Sequence, residues 1–540
     1  RKSEVLILNA EKLAAIDTLF GGSYPKAEFE TAWKNILFNQ FHDILPGSGI
    51  HINYVDAAKK YDVSDRISRD ISNKALEDVA ANVKADGPSV LVFNPLPWPR
   101  SDVVEAEVQF PTPVRGVIGT DGKGQSASLV VLSNDKSSGL VRVRIFLRDL
   151  PAMGYEVIKL REEPPDSGTF FPQLKASLTS LENEYLRATI DPHTGCITSL
   201  FDKRSNTESL APAVQSEGSP ANLNGKPCGN LLQTFVDKPK EWDAWNIDAD
   251  FTKQHADLMQ ADSVKLVENT PLRAVVRVEK HAANSKFVQD ITMYPGVPRL
   301  DVKMTADWNE KHVLLKVAFP VSVTSEKTTF EIPYGSIERP TTRRSPEEQA
   351  KFEVPALRWA DLSDAKHGLS LLNDSKYGYD AKDNVLRLSL LRAPTWPDPH
   401  ADEGHHEFTY SLYPHGGDWK QALTVRQGYE LNYPLMAVAM QAHAGTLPAE
   451  RSFVSSTADN VIITAVKQAE DDQSVIIRFY EWAGKAGNVG IRLPKAAKAA
   501  YDVNLLEKSE QPLTLSANGS EVTVPTKPYE IRTVRVEFAK

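Results

Sequence analysis

The run Asn39-Gln-Phe-His-Asp-Ile-Leu-Pro-Gly-Ser48 sets an imidazole, His42, directly before a carboxylate, Asp43. An imidazole held on a rigid element is a natural ligand for a borderline cation such as zinc, and a neighbouring carboxylate can hold a sugar hydroxyl. The plainer reading is a hydrogen-bonded histidine near a helix terminus. Upstream, Phe29, Trp33, Ile36, Leu37 and Ile44 recur at helical spacing and predict one apolar stripe. At about 100° per residue, His42 and Phe38 fall opposite that stripe. Pro46 and Gly47 then stop the helix. The expectation is a helix over 26–45 that buries one face in its own bundle and offers His42 and Asp43 to a different body.

Two later segments carry further chemistry. Trp242-Asp-Ala-Trp245 pairs flat apolar surfaces with the Asp243 carboxylate. Sugars stack the C–H face of a ring on such surfaces and bond their hydroxyls to charged groups. A core-packed tryptophan pair is the alternative. From Arg392 to His415 the chain holds four of its twelve histidines, with Asp398, Asp402 and Glu403. Histidines and carboxylates together suit zinc or manganese. Adjacent His405 and His406, however, would point to opposite faces of a strand, and Pro394, Pro397 and Pro399 make the preceding stretch a rigid loop. The readings that remain are an independent metal site, a structural loop, or a loop closing over a cleft with Arg392, Asp402 and His406 nearest the substrate.

The elements that must position these residues run helices first and strands after. Helices are predicted over 1–20 and 26–45, joined at Gly21-Gly22-Ser-Tyr-Pro25. Ser64 is the expected N-cap of a third helix carrying Ile67, Ile71, Ala75, Val79 and Val83. After Asp86-Gly-Pro88 the pattern changes to short β-branched runs, Leu91-Val-Phe-Asn-Pro and Leu140-Val-Arg-Val-Arg-Ile-Phe among them. Glu162-Glu-Pro-Pro-Asp-Ser-Gly168 reads as a linker. Alternation such as Leu272-Arg-Ala-Val-Val-Arg-Val-Glu is sandwich-like. The partition is a helical domain over 1–87, a small β domain over 88–165, a large β-sandwich over 166–450 and a C-terminal β domain over 451–540. The fold class is α+β and multidomain.

Composition narrows the partners. The 540 residues carry a formal net charge of −9 with the two signs interspersed, which argues against nucleic acid or an anionic membrane. No apolar run approaches the length of a membrane span. Cys196 and Cys228 match no zinc spacing and are read as two free thiols.

The run from Asn39 to Ser48 resembles the central-domain signature of the glycoside hydrolase family 38 α-mannosidases, in the phenylalanine version of the cytosolic and bacterial branch. Tyr334-Gly-Ser-Ile-Glu-Arg-Pro340, Lys351-Phe-Glu-Val, Arg358-Trp-Ala-Asp-Leu-Ser363, Leu371-Leu-Asn-Asp-Ser-Lys-Tyr-Gly378, Leu390-Leu-Arg-Ala-Pro394, Pro397-Asp-Pro, Asp402-Glu-Gly-His-His-Glu-Phe-Thr-Tyr410 and Tyr413-Pro-His follow in the order of that branch. The resemblance implies that the β region is a supersandwich of galactose-mutarotase type. It implies that His42 is a ligand of one divalent metal, zinc with cobalt as the alternative, and that Asp43 contacts mannose. It makes Trp242, Asp243, Trp245, Arg392, Asp402 and His406 candidate substrate contacts.

The family's front α/β domain, with its His-x-Asp metal pair, nucleophile and acid/base, has no counterpart here. His255-Ala-Asp257 and His400-Ala-Asp402 follow no buried apolar strand and read as loops. The chain opens at Arg1 inside a helical pattern and reads as the C-terminal part of a longer enzyme. Retaining cleavage needs two carboxyl groups about 5 Å apart, and a zinc site needs about three protein ligands. The expectation is that the whole enzyme removes terminal α-mannose from oligosaccharides, while this portion alone is inactive and holds no metal tightly. Its partners are then a mannose-containing oligosaccharide and the α/β domain, with a homo-oligomer left open. The alternatives are a noncatalytic carbohydrate-binding or scaffold protein, or a partner subunit for a separate catalytic chain. The family branch and the scarcity of cysteine favour the cytoplasm, with secretion or a periplasmic location left open.

Overall fold

The computed structural model describes residues 1–162 and 171–538, so most of the expected 162–168 linker lies outside the described residues. The chain divides into two compact units. One comprises Arg1, Leu37–Lys60 and Gln173–Asn432; the other comprises Lys2–Ile36, Tyr61–Pro172 and Tyr433–Lys540. Among the described residues no helix is long and apolar enough to cross a membrane.

Three helices open the chain: α1 (Lys2–Asp17), α2 (Lys26–Asn39) and α3 (His51–Ala81). Of the predicted stripe, Phe29 and Ile36 of α2 are buried and Trp33 is partly buried, packed with Ala32 and with Ile7, Ala10 and Ala14 of α1. Two members differ, since Leu37 is 56% exposed and Ile44 is half-exposed. The predicted helix over 26–45 ends at Asn39, before His42. From Gln40 onward the backbone tightens into three-residue bonds, Gln40 N–H to Leu37 O, Phe41 to Phe38 and Ile44 to Phe41. Buried Asn39 donates its side-chain amide to Ala57 O at 2.9 Å, which anchors the point where the helix stops. The third helix begins at His51 rather than after Ser64. Ser64 is buried in its interior, and its hydroxyl donates to Ala32 O at 3.1 Å, so it joins helices instead of capping one.

The unit containing Gln173–Asn432 is built of three antiparallel sheets. In the six-stranded sheet, Leu231–Val236 pairs with Val313–Pro320, which pairs with Val385–Leu391. In the nine-stranded sheet, Leu300–Trp308 pairs with Gly404–Gly416, which pairs with His367–Asn373. Leu315, Val317 and Phe319 from the first sheet share one core with Val302, Met304, Trp308, Tyr410 and Leu412 from the second. The predicted alternation holds in Arg273–Ala282, where Ala274, Val276 and Val278 are fully buried. His255–Asp257, expected as a loop, is a short strand paired with Leu231–Val236, because backbone pairing at a sheet edge needs no apolar run. The other unit carries an eight-stranded sheet, in which Met436–Met440 pairs with Ser89–Asn94, and two smaller sheets built from Ser455–Phe538.

The cysteines are not free thiols. Cys196 and Cys228 form a disulfide, fully buried, with Cα atoms 4.9 Å apart. The antiparallel bridge between Ile197 and Gly229 brings the two Cα atoms within disulfide reach, a juxtaposition invisible in a 32-residue separation. Closing a loop of that length restricts the unfolded chain by about 4 kcal/mol. Replacing both cysteines by alanine is expected to lower the unfolding free energy in urea by roughly 2–4 kcal/mol. An unchanged midpoint and slope would show that the bridge contributes nothing.

Candidate functional site

The turn after α2 is held at its backbone and open at its side chains. Tyr54 of α3 donates its hydroxyl to Asp43 O at 3.3 Å and accepts from Gly49 N–H at 2.6 Å. Ser48 N–H closes the turn on Asp43 O at 3.1 Å. A Cβ at Gly49 would lie 2.9 Å from Asn53 Nδ2 and 3.2 Å from the Tyr54 oxygen, so a larger residue there would press on both side chains. On this frame the His42 side chain is 78% exposed, with Nε2 3.2 Å from Asp43 Oδ2. Phe41 lies beside it, ring centroids 4.3 Å apart.

The second element is the loop from Arg392 to Glu403, which joins the strand Val385–Leu391 of one sheet to Gly404–Gly416 of the other. The Trp396–Pro397 peptide bond is cis. Asp398, almost fully buried, accepts from His400 N–H at 2.9 Å and faces His51 Nδ1 at 3.1 Å. His51 begins α3, so this pair ties the loop to the helix that anchors the His42 turn. Asp43, Asp398 and Asp402 all act electrostatically on Tyr54. Burial, followed by those three negative charges, raises its phenol above the ordinary range.

The third element is the 242–246 turn. Trp242 sits at φ 64°, and the N–H groups of Trp245 and Asn246 both donate to its carbonyl at 2.9 Å. Arg392 holds the outside of this turn. Its Nε donates to buried Asp237 at 2.6 Å, and its terminal nitrogens donate to the carbonyls of Asp243, Ala244 and Asn246. Asp243 Oδ2 accepts from Thr395 N–H at 2.7 Å, Trp396 N–H at 3.1 Å and Thr395 Oγ1 at 3.2 Å. Arg392 and Asp243 are thus engaged in positioning, and what they position is aromatic. Trp242, Trp245 and Trp396 are 64%, 49% and 54% exposed. Trp245 lies 5.2 Å from Trp396 and 6.4 Å from Trp242, centroid to centroid.

Asp402 and His406 form a separate small group. Asp402 lies in left-handed backbone at φ 60°, and its carbonyl is 2.7 Å from His406 Nε2. Desolvation holds the His406 imidazole below its ordinary range. His405 pairs instead with Asp307 at 2.8 Å, which raises its imidazole. Among the described residues, no group of three or more His, Cys, Asp or Glu side chains is placed to hold a metal ion.

The structure therefore joins Trp242, Asp243, Trp245 and Arg392 in one cluster, Asp402 with His406 in another, and His42 with Asp43 in a third. Sequence reasoning passed over His51, Tyr54, Trp396 and Asp237, which connect or support these clusters. The signal for two of them was the helical spacing of His51 and Tyr54 directly after the Pro46–Gly49 turn.

Residues 181–400 match the family described as glycosyl hydrolases family 38 C-terminal domain. Residues 460–534 match its C-terminal beta sandwich domain, and 1–79 the alpha mannosidase middle domain. Alpha-mannosidase 2C1 of Mus musculus is 31% identical over 548 residues, covering 99% of this chain and 48% of the relative. The Homo sapiens protein of the same name is 32% identical, covering 94% and 45%. The chain spans about half the length of these curated relatives. In fold it is similar to the crystal structure of an alpha-mannosidase from Enterococcus faecalis V583, with TM-score 0.80 at 17% identity over 99% of this chain and 66% of that one. The chain belongs to glycosyl hydrolase family 38, and its residues match that family's middle and C-terminal domains.

Replacing Arg392 with alanine leaves the Asp237 carboxylate buried without its partner and three carbonyls of the tryptophan turn without a donor. Unfolding stability should fall by roughly 2–4 kcal/mol, and the near-ultraviolet circular dichroism of the tryptophans should weaken. A variant with unaltered stability and spectrum would remove Arg392 from this positioning role.

Proposed function

We propose that the chain supplies the sugar-facing half of a retaining α-mannosidase, with His42 as one metal ligand and Asp43 as a contact to mannose. The observation that carries this reading is the His42 turn: a backbone overdetermined by Tyr54, Ser48 and Gly49 that presents an imidazole almost wholly to solvent. A histidine serving only packing would be buried. The residues fit a cation as a partial set. The Asp43 carboxylate, 3.2 Å from Nε2, orients the ring, while the other ring nitrogen is left to bind. A divalent cation bound there, zinc or cobalt, would supply Lewis acidity toward sugar hydroxyls.

This chain's own residues do the remaining binding work. The exposed faces of Trp242, Trp245 and Trp396 offer stacking surface for mannose rings, and Arg392 and Asp243 keep those faces in register. Asp402 and His406 stand at the head of the strand that leaves the same loop, as contacts toward a bound oligosaccharide. The nucleophile and the acid/base carboxyl, about 5 Å apart in a retaining enzyme, together with the other metal ligands, belong in this reading to the portion of the relatives' length that these residues do not span.

The 540 residues alone are expected to turn over no chromogenic α-mannoside and to retain no zinc through dialysis. In the longer protein, His42→Ala should lower metal content and cut kcat/KM by about 100-fold or more, with circular dichroism unchanged. Turnover by these residues alone, or a His42→Ala enzyme with its full metal content, would refute the assignment.

A further inference from the structure

The unit containing Lys2–Ile36 holds a cleft of about 690 Å³ with no part in the chemistry above. It is lined by the end of α1, the Gly21–Pro25 turn and residues 70–82 of α3. Asp17 lines it as the last residue of α1. Asp17 is only 5% exposed, and its carboxyl makes no hydrogen bond or ion pair with any described residue.

Burial, the helix dipole and Asp78 disfavour a bare charge at this position, and only Lys74 acts the other way. A carboxylate at a helix C-terminus meets the negative end of the helix dipole. Burial removes much of its water without a compensating bond from a described residue, and the carboxyl oxygens keep contact only with the solvent of the cleft. Asp78 across the cleft repels it. Together, burial foremost and then Asp78, these push the carboxyl up to about 6. The cation that acts on Asp17, Lys74, has its ammonium bonded to both oxygens of Asp78. The turn makes room for the charge nonetheless: a Cβ at Gly22 would fall 1.9 Å from Asp17 Oδ2, so glycine is what lets the carboxylate lie against the main chain. Ala14, Phe20, Ile71 and Ala75 give the same cleft an apolar wall.

We infer that this cleft binds an organic cation, a primary ammonium on a short apolar stem, with the ammonium bonded to Asp17 and the stem on the apolar wall. The ammonium supplies the donors that Asp17 lacks. The class is organic rather than metallic because, among the described residues, no third ligating side chain joins two others in a metal-holding group.

The test is calorimetric titration of the full chain with n-pentylamine hydrochloride, which is expected to bind saturably at one site at pH 7.5. The other charged groups lining the cleft are Glu28, Asp70, Lys74 and Asp78, and the Asp17→Asn variant separates their effect from that of Asp17. Since the Asp17 carboxyl must be ionised, affinity should fall about tenfold from pH 7.5 to pH 5, and Asp17→Asn should weaken binding at least about tenfold and abolish that pH dependence. Lys74→Met, which frees Asp78, should tighten binding. Gly22→Ala, which crowds the Asp17 carboxylate, should weaken it. A raised carboxyl contributes stability below its unfolded value of 3.8 that is lost as pH rises through about 6. Asp17→Asn should therefore melt at or above the parent temperature at pH 7.5, which reports that it folds. No saturable binding, equal binding of neutral 1-pentanol, equal displacement by calcium chloride, or undiminished binding by Asp17→Asn would each overturn the assignment.

Discussion

The ion pair between Arg392 and Asp237 is the constraint on which the aromatic part of the candidate site depends. Asp237 follows directly on the strand Leu231–Val236, and Arg392 follows directly on Val385–Leu391 of the same sheet. Each side chain therefore starts from a backbone fixed by ladder hydrogen bonds. A planar guanidinium with five donors can bond one carboxylate and three carbonyls at once, which a lysine could not do. The Trp242 turn, with its positive φ, is costly backbone for a bulky residue. The carbonyl bonds from Arg392 and the three donors on Asp243 Oδ2 offset that cost. The tryptophan faces can then stay open to solvent without the turn collapsing onto the sheet.

The same division of labour recurs at the His42 turn. Tyr54 bonds main-chain atoms on both sides of it, and Asn39 fixes where α2 ends. Side chains that face solvent are carried by backbone that has nowhere else to go. The buried Asp398, facing His51 and bonded to His400, links this turn's helix to the loop that carries Trp396 two residues earlier. The His42 turn and the loop are thus joined through one buried carboxylate, Asp398, whose partners His51 and His400 lie nearer the surface.

Much of the fold was legible because burial writes periodicity into sequence. The Phe29, Trp33 and Ile36 part of the α2 stripe and the alternation of Arg273–Ala282 were both read from it. The misreadings share one cause, which is that the deciding partner was distant in the chain. Ser64 has the chemistry of a helix cap, yet its hydroxyl found Ala32 O. Leu37 fits the helical period yet is left exposed. Cys196 and Cys228 meet only because Ile197 and Gly229 pair. His255–Asp257 is a strand by virtue of its neighbour, not its composition. For the site, residue type pointed at His42, Asp43 and the tryptophans, whereas Tyr54, Asp237 and His51 act through geometry that no local pattern encodes.

Asp17 sharpens the contrast between a charge that is placed and one that is merely tolerated. Asp237 is as buried as Asp17, and desolvation raises its carboxyl too, but Arg392 pulls in the opposite direction. A buried charge so paired is a structural part, and removing its partner is what costs. At Asp17 no described residue plays that part, and the nearest lysine is already committed to Asp78. Asparagine would have nearly the same volume there without the desolvated charge, so folding alone gives no reason for a carboxylate. A charge that weakens the fold and is still given a glycine to lie against is accounted for by a cation that the fold itself does not contain.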